Sequence, residues 1–273
     1  VEPQPEEPPL RFTVLGSGTL LPDDQRHSPC HFVEAGEARL LLDCGSGALH
    51  GFDRHRVPWR TLTHLAITHF HTDHVGDLAP LLFALRHGVR PEREEPFVLL
   101  GPPGLHAFLG HLSAAHGDFI ARPGFPLQVV ELPRSGQWED PGGAFVLRVH
   151  PTRHTDSSVA YRVERGGASV GYTGDTGPSD ALGAFFSGAE LLVAECGVDD
   201  PPPIDSHLSP RTVAELARRA APQLLVLTHL YPPLRPHKVA ALVRDAGYEG
   251  QVVVALDGTS VDVGAGWAVL CAG

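Results

Sequence analysis

The chain has 273 residues, 21 Lys and Arg against 32 Asp and Glu, a formal net charge of −11 and 17 histidines. That length is enough for one large α/β domain or two small ones with a packed core, while the acidic balance and the lack of any Lys/Arg-rich stretch speak against a polyanion track. No window approaches the roughly 18 uninterrupted apolar residues of a membrane span, and Cys30, Cys44, Cys196 and Cys271 are too scattered for a zinc ribbon or disulfide scaffold, so a reducing, cytoplasmic setting is expected.

Residues 1–9 are rich in Pro and Glu without aliphatic content, and an extended or disordered tail is expected there, with residues 10–273 as a single domain. Arg11–Leu15, His31–Ala35 and Arg39–Asp43 are strand-like runs separated by Gly-rich turns, which suggests an antiparallel start to a sheet. Leu62–Thr68 forms the next run. Leu78, Leu81, Leu82 and Leu85 then fall at i, i+3, i+4 and i+7, with Asp77 as the expected N-cap and Pro80 in the first turn. Further strands are expected near 145–150, 158–163, 169–172, 191–195 and 224–228. Helices are expected from Ser209-Pro210 and around His237–Ala246, and final strands at Val252–Ala255 and Ser260–Val263. Periodicity alone defines the class as α/β.

Between the run ending at Thr68 and the helix starting near Leu78 lies His69-Phe70-His71-Thr72-Asp73-His74. Neutral imidazole and carboxylate are the ligands that borderline ions such as Zn²⁺ prefer, and four of them in so short a segment exceed what one tetrahedral ion takes. Two metals are expected. Manganese and iron accept the same ligands, but zinc is the first choice.

The run resembles the His-x-His-x-Asp-His signature of the metallo-β-lactamase superfamily. The resemblance implies a four-layer αββα sandwich and three more ligands, each after a strand. His154 follows the strand at 145–150, Asp175 lies in Thr173-Gly174-Asp175-Thr176, and His229 lies in Thr228-His229-Leu230. It would put His69, His71 and His154 on one metal and Asp73, His74 and His229 on the other, with Asp175 shared. Asp43, in Leu42-Asp43-Cys44-Gly45, matches another family position, expected to accept the second N–H of a ligand imidazole and fix its tautomer.

Ala194-Glu195-Cys196-Gly197 and Asp205-Ser206-His207-Leu208-Ser209 look like stretches of ribonuclease Z and related phosphodiesterases, as does Leu15-Gly16-Ser17-Gly18-Thr19 with Pro22, Arg26 and Ser28. By that likeness His207 would protonate the departing oxygen and Glu195 would hold it, so Asp73, His207 and Glu195 are the catalytic candidates. Ala194 and Cys196-Gly197 depart from the family. Ribonuclease Z enzymes usually carry a tRNA-gripping arm between the third histidine and the bridging aspartate, where His154 to Asp175 leaves room for a hairpin only.

The expected activity is therefore hydrolysis by a hydroxide bridging two metals roughly 3.5–4 Å apart. Its expected substrate is a small or medium phosphodiester, whose anionic centre gains most from dinuclear charge compensation. Lactone, ester, thioester or sulfate-ester hydrolysis on the same site is the second reading, ahead of β-lactam hydrolysis. Ribonuclease Z-like RNA processing and a metal-containing binding protein with little turnover are the others. The expected partner is an anionic small-molecule ester, not a membrane, and the oligomeric state, homodimer included, is left open.

Overall fold

The computed structural model describes residues 9–232 and 234–271; most of the expected tail, residues 1–8, lies outside the described residues. In chain order the first half comprises β1 (Leu10–Gly16), β2 (Cys30–Ala35), β3 (Ala38–Leu42), α1 (Ala48–Arg54), β4 (His64–Ala66), α2 (Thr72–Val75), α3 (Leu78–His87), β5 (Phe97–Gly101), α4 (Leu105–His116) and β6 (Leu127–Glu131). There follow β7 (Gly136–Glu139), β8 (Val146–Pro151), β9 (Val159–Arg165), β10 (Ala168–Tyr172), α5 (Asp180–Phe185), β11 (Leu191–Glu195), α6 (Pro210–Ala220), β12 (Leu224–Thr228), α7 (Pro236–Asp245), β13 (Val252–Val254), β14 (Ser260–Gly264) and β15 (Trp267–Leu270).

These strands form an eight-stranded sheet in the order β15-β14-β1-β2-β3-β4-β5-β6 and a seven-stranded sheet in the order β13-β12-β11-β10-β9-β8-β7. Both are mixed. β1, β2 and β3 pair antiparallel, as the sequence suggests, and β3 through β6 continue in parallel. In the second sheet β10 to β13 are parallel and β7 to β10 antiparallel.

Period-2 alternation explains why both sheets are buried on both faces. Leu40 and Leu42 point into the core between the sheets, while Leu41 points to the helices outside. Leu191 and Val193 face the same inter-sheet core, and Leu192 and Ala194 pack under the helices of the second layer. The molecule is thus the four-layer αββα sandwich. Among the described residues no helix is long and apolar enough to cross a membrane.

Two details differ from the sequence expectation. Asp77 precedes α3 but its side chain does not cap that helix; it accepts from the N–H groups of Gly47 and Leu49 at 3.1 and 3.2 Å, and so serves the start of α1 instead. The run Leu62–Thr68 contains only a three-residue strand: Ile67 N–H still bonds the Leu100 carbonyl of β5 at 2.9 Å, but Thr68 N–H turns to Asp43 at 2.7 Å as the chain enters the ligand loop. The four leucines of α3 are fully buried, which fixes that loop from behind.

His31 on β2 is completely buried in the inter-sheet region, 4.7 Å from Tyr172 and 5.3 Å from Phe12 between ring centroids, and neither ring nitrogen has a hydrogen-bond partner among the described residues. Burial, with a smaller push from His74 and His229, lowers its pKa to about 3. The folded pKa lies below that of the unfolded chain, so the unfolded state takes up the proton first. Stability is then whole above about pH 6.5 and falls by roughly 1.4 kcal/mol per pH unit below it. In urea unfolding of the metal-free protein, the loss between pH 7 and pH 5 should be about 2 kcal/mol smaller for His31→Phe than for wild type. Equal losses would show that His31 is not the source.

Candidate metal centre

Parallel strands bring their carboxyl ends to one edge of the sandwich, the usual place for a site in such sheets. Asp43 follows β3, His69 follows β4, Asp175 follows β10, Glu195 ends β11 and His229 follows β12. His154 sits in the turn between β8 and β9, and α2 presents Asp73 and His74 in its single turn. Asp43 and His229 have φ of 59° and 58°, and Gly174 has φ of 54° beside the Thr68 side chain. Left-handed backbone at non-glycine residues is uncommon and costs strain, and two such residues fall at the site. A Cβ on Gly45 would collide with the Asp73 carbonyl oxygen, so glycine there lets the ligand loop close onto the turn after β3.

The predicted ligands come together in two groups. Nε2 of His69 and Nε2 of His154 lie 3.1 and 3.0 Å from Nδ1 of His71, and Oδ2 of Asp175 lies 3.8 and 3.6 Å from the first two. In the second group Nε2 of His74 is 3.8 Å from Oδ2 of Asp73 and 3.3 Å from Oδ1 of Asp175. Nε2 of His229 is 3.4 and 3.5 Å from the same two oxygens. Asp175 therefore turns one oxygen to each group. Donor atoms on a tetrahedron with arms of about 2.0–2.1 Å stand about 3.3 Å apart, so these spacings fit one ion per group. His74 Nε2 and Asp175 Oδ1 are buried without a hydrogen-bond partner among the described residues, as donors reserved for cations would be.

On His74 and His154 the ring nitrogen that faces away from the groups is held. His74 Nδ1 donates to Oδ2 of Asp43 at 2.7 Å, and the same carboxylate accepts from Thr68 N at 2.7 Å and from Tyr172 Oη at 2.8 Å. His154 Nδ1 donates to the Ser206 carbonyl at 3.1 Å. Each bond leaves Nε2 as the lone-pair atom toward the centre.

Burial pushes the pKa values of His69 and His154 down, to neutral imidazoles, which is the ligating form. His74 differs: burial opposes its charge, but Asp175 and Asp43 outweigh burial and raise its pKa well above the ordinary value. Burial likewise works against the charge on Asp175, and the imidazoles of His229, His74 and His69 outweigh it, holding the carboxyl well below its usual range.

His207 and Glu195 meet beside the second group. Nδ1 of His207 lies 2.9 and 3.1 Å from the two Glu195 oxygens, which also accept from the N–H groups of Thr176 at 2.7 Å and Gly197 at 3.2 Å. Burial lowers the His207 pKa, and Glu195 overcomes it, so the pKa is raised. One His207 nitrogen lies within 4.8 Å of ligand atoms of Asp175 and His229, and because Nδ1 is engaged by Glu195, Nε2 is left for the centre. The family departure at Gly197 has a local reason: a Cβ there would stand 2.9 Å from a Glu195 oxygen and 3.4 Å from His207 Nδ1.

Sequence reasoning did not single out Thr68 and Tyr172, which hold Asp43, or Tyr231, whose ring is 5.3 Å from His229 and 6.0 Å from His207. Burial, then Asp73, Asp175 and Glu195, raise the Tyr231 pKa. Its place two residues after His229 was the only available signal.

Two mixed sheets between helical layers, with a His/Asp cluster at the strand ends that is buried except toward His71 and His154, define an αββα metallohydrolase. The family described as Beta-lactamase superfamily domain matches residues 38–230. The chain is 34% identical over 254 residues to a ribonuclease Z of Mycobacterium sp. (strain KMS), covering 85% of this chain and 87% of that protein. The metallo-beta-lactamase fold protein YhfI from Bacillus subtilis superposes with a TM-score of 0.81 at 23% identity, covering 96% of this chain and all of that one. Human tRNase Z, short form, gives 0.72 at 22% identity over 92% and 98% of the two chains. The protein belongs to the metallo-β-lactamase superfamily and is a metal-dependent hydrolase related to ribonuclease Z.

Proposed function

We propose that this protein is a dinuclear, zinc-dependent phosphodiesterase acting on small or medium phosphodiesters in the cytoplasm. The observation that carries it is Asp175, which offers one oxygen to each of two ligand groups, with the His207–Glu195 pair set beside them. His69, His71 and His154 would hold one cation and Asp73, His74 and His229 the other. When bound, two such cations supply Lewis acidity that lowers the pKa of water and offsets charge on the transition-state oxygens.

The chain's own residues do the rest. Asp43 keeps His74 in one tautomer, and the two backbone N–H groups on Glu195 fix the carboxylate that orients His207. From Nε2, His207 delivers a proton to the departing oxygen as its bond to phosphorus breaks.

Ribonuclease Z-like RNA processing is the second reading, favoured by the 34% identity over most of the chain. The interval from His154 to Asp175 supports the first, because it is filled by the hairpin of β9 and β10. Parallel assays of the metal-loaded protein on a bis-aryl phosphate, an aryl sulfate, a lactone, a cephalosporin and a precursor tRNA decide the matter. Turnover of the phosphodiester with negligible tRNA cleavage is expected. Efficient, specific removal of a tRNA 3′ trailer would replace the first reading with the second.

A further inference from the structure

Tyr231 belongs to none of the ligand groups, yet it is built into the same site. Its backbone N–H donates to the Gly197 carbonyl at 3.2 Å, and its own carbonyl accepts from Leu234 N at 3.0 Å, so the main chain is held on both sides. The rings of His207 and His229 lie almost parallel, at 13° with centroids 5.7 Å apart, and the Tyr231 ring stands across both at 66° and 75°. The residue is half-buried, and among the described residues nothing accepts a hydrogen bond from its hydroxyl. By contrast, Tyr161 and Tyr172 donate to the Ile67 carbonyl and to Asp43.

A phenol is therefore held with its ring beside both the imidazole proposed to serve the leaving group and an imidazole of the second ligand group. The two imidazoles that its ring faces are themselves set against carboxylates: His229 Nε2 lies 3.4 and 3.5 Å from Asp73 and Asp175, and His207 Nδ1 lies 2.9 Å from Glu195. An anionic group entering beside these carboxylates needs donors as well as cations. We propose that Tyr231 is a substrate-binding residue whose hydroxyl donates a hydrogen bond to a non-bridging phosphoryl oxygen, holding the phosphodiester with its leaving oxygen toward His207. This inference rests on the phosphodiesterase reading above.

The test is Tyr231→Phe, which keeps the ring and removes only the donor. Calorimetric titration of the metal-loaded protein with inorganic phosphate should show affinity reduced roughly 10- to 100-fold, the loss of one hydrogen bond to a charged acceptor. Metal content should be unchanged. With bis-aryl phosphates KM should rise more than kcat falls, as for an interaction made in ground and transition state alike, and the dependence on leaving-group acidity should match that of wild type. Wild-type phosphate affinity in the variant, or loss of a metal equivalent, would overturn the proposal. If the wild-type protein itself neither binds phosphate nor cleaves phosphodiesters, the phosphodiesterase reading falls, and this assignment falls with it.

Discussion

The Asp175→Asn protein is expected to lose metal from both positions at once, and its turnover should fall by more than the roughly 10²–10⁴-fold that removal of a general acid costs. The substitution conserves shape but removes the charge whose two oxygens face different ligand groups at 3.3–3.8 Å. His154→Ala is the informative contrast. His154 approaches only the first group, so that variant should retain close to one metal equivalent where wild type holds close to two. Elemental analysis after incubation with excess zinc, manganese or iron provides the measurement. A wild-type protein that saturates at one equivalent would end the dinuclear description, and an Asp175→Asn protein that keeps two would remove the shared-carboxylate role.

His207→Ala should keep both metals and lower turnover by roughly 10²–10⁴-fold. The size of the loss should track the leaving group, since a nitrophenolate needs little protonation on departure and an alkoxide needs much. A series of aryl and alkyl phosphodiesters therefore gives the sharper result: a steep dependence on leaving-group acidity in the variant and a shallow one in wild type. Equal impairment across the series would exclude proton donation. Loss of one metal equivalent would make His207 a ligand, as its closeness to Asp175 and His229 allows geometrically. Glu195→Gln should show the same trend more weakly, because the amide still meets His207 but no longer supports its positive charge.

Much of the centre was legible in the chain because its chemistry is local. His69, His71, Asp73 and His74 fall within one loop and one helical turn, and the apolar spacing of α3 announces the element that anchors them. The distant His154, Asp175 and His229 were legible through resemblance of motif and order, not from any property of those residues alone. The helices α1, α4 and α5 and the strands β5, β6, β7 and β15 were not read from the sequence. α4 buries only two of its residues, and β6 and β7 are half-exposed, so their hydrophobic patterns are weak.

By itself the sequence determined the α/β class, and it marked out the opening cluster of candidate ligands and the strand-to-loop junctions where the other candidates sit. Whatever depends on two sheets meeting was decided by the tertiary structure. Asp43 on one sheet receives Tyr172 from the other, at a sequence separation of 129 residues, and the two oxygens of Asp175 acquire separate roles only when His74 and His154 converge on them from different layers. The same packing holds Asp43 and His229 at positive φ, turns Asp77 away from its own helix and places Tyr231 across His207 and His229. Local spacing cannot encode these placements, because each is set by the register and separation of the sheets, which the buried side chains of the whole inter-sheet core establish together.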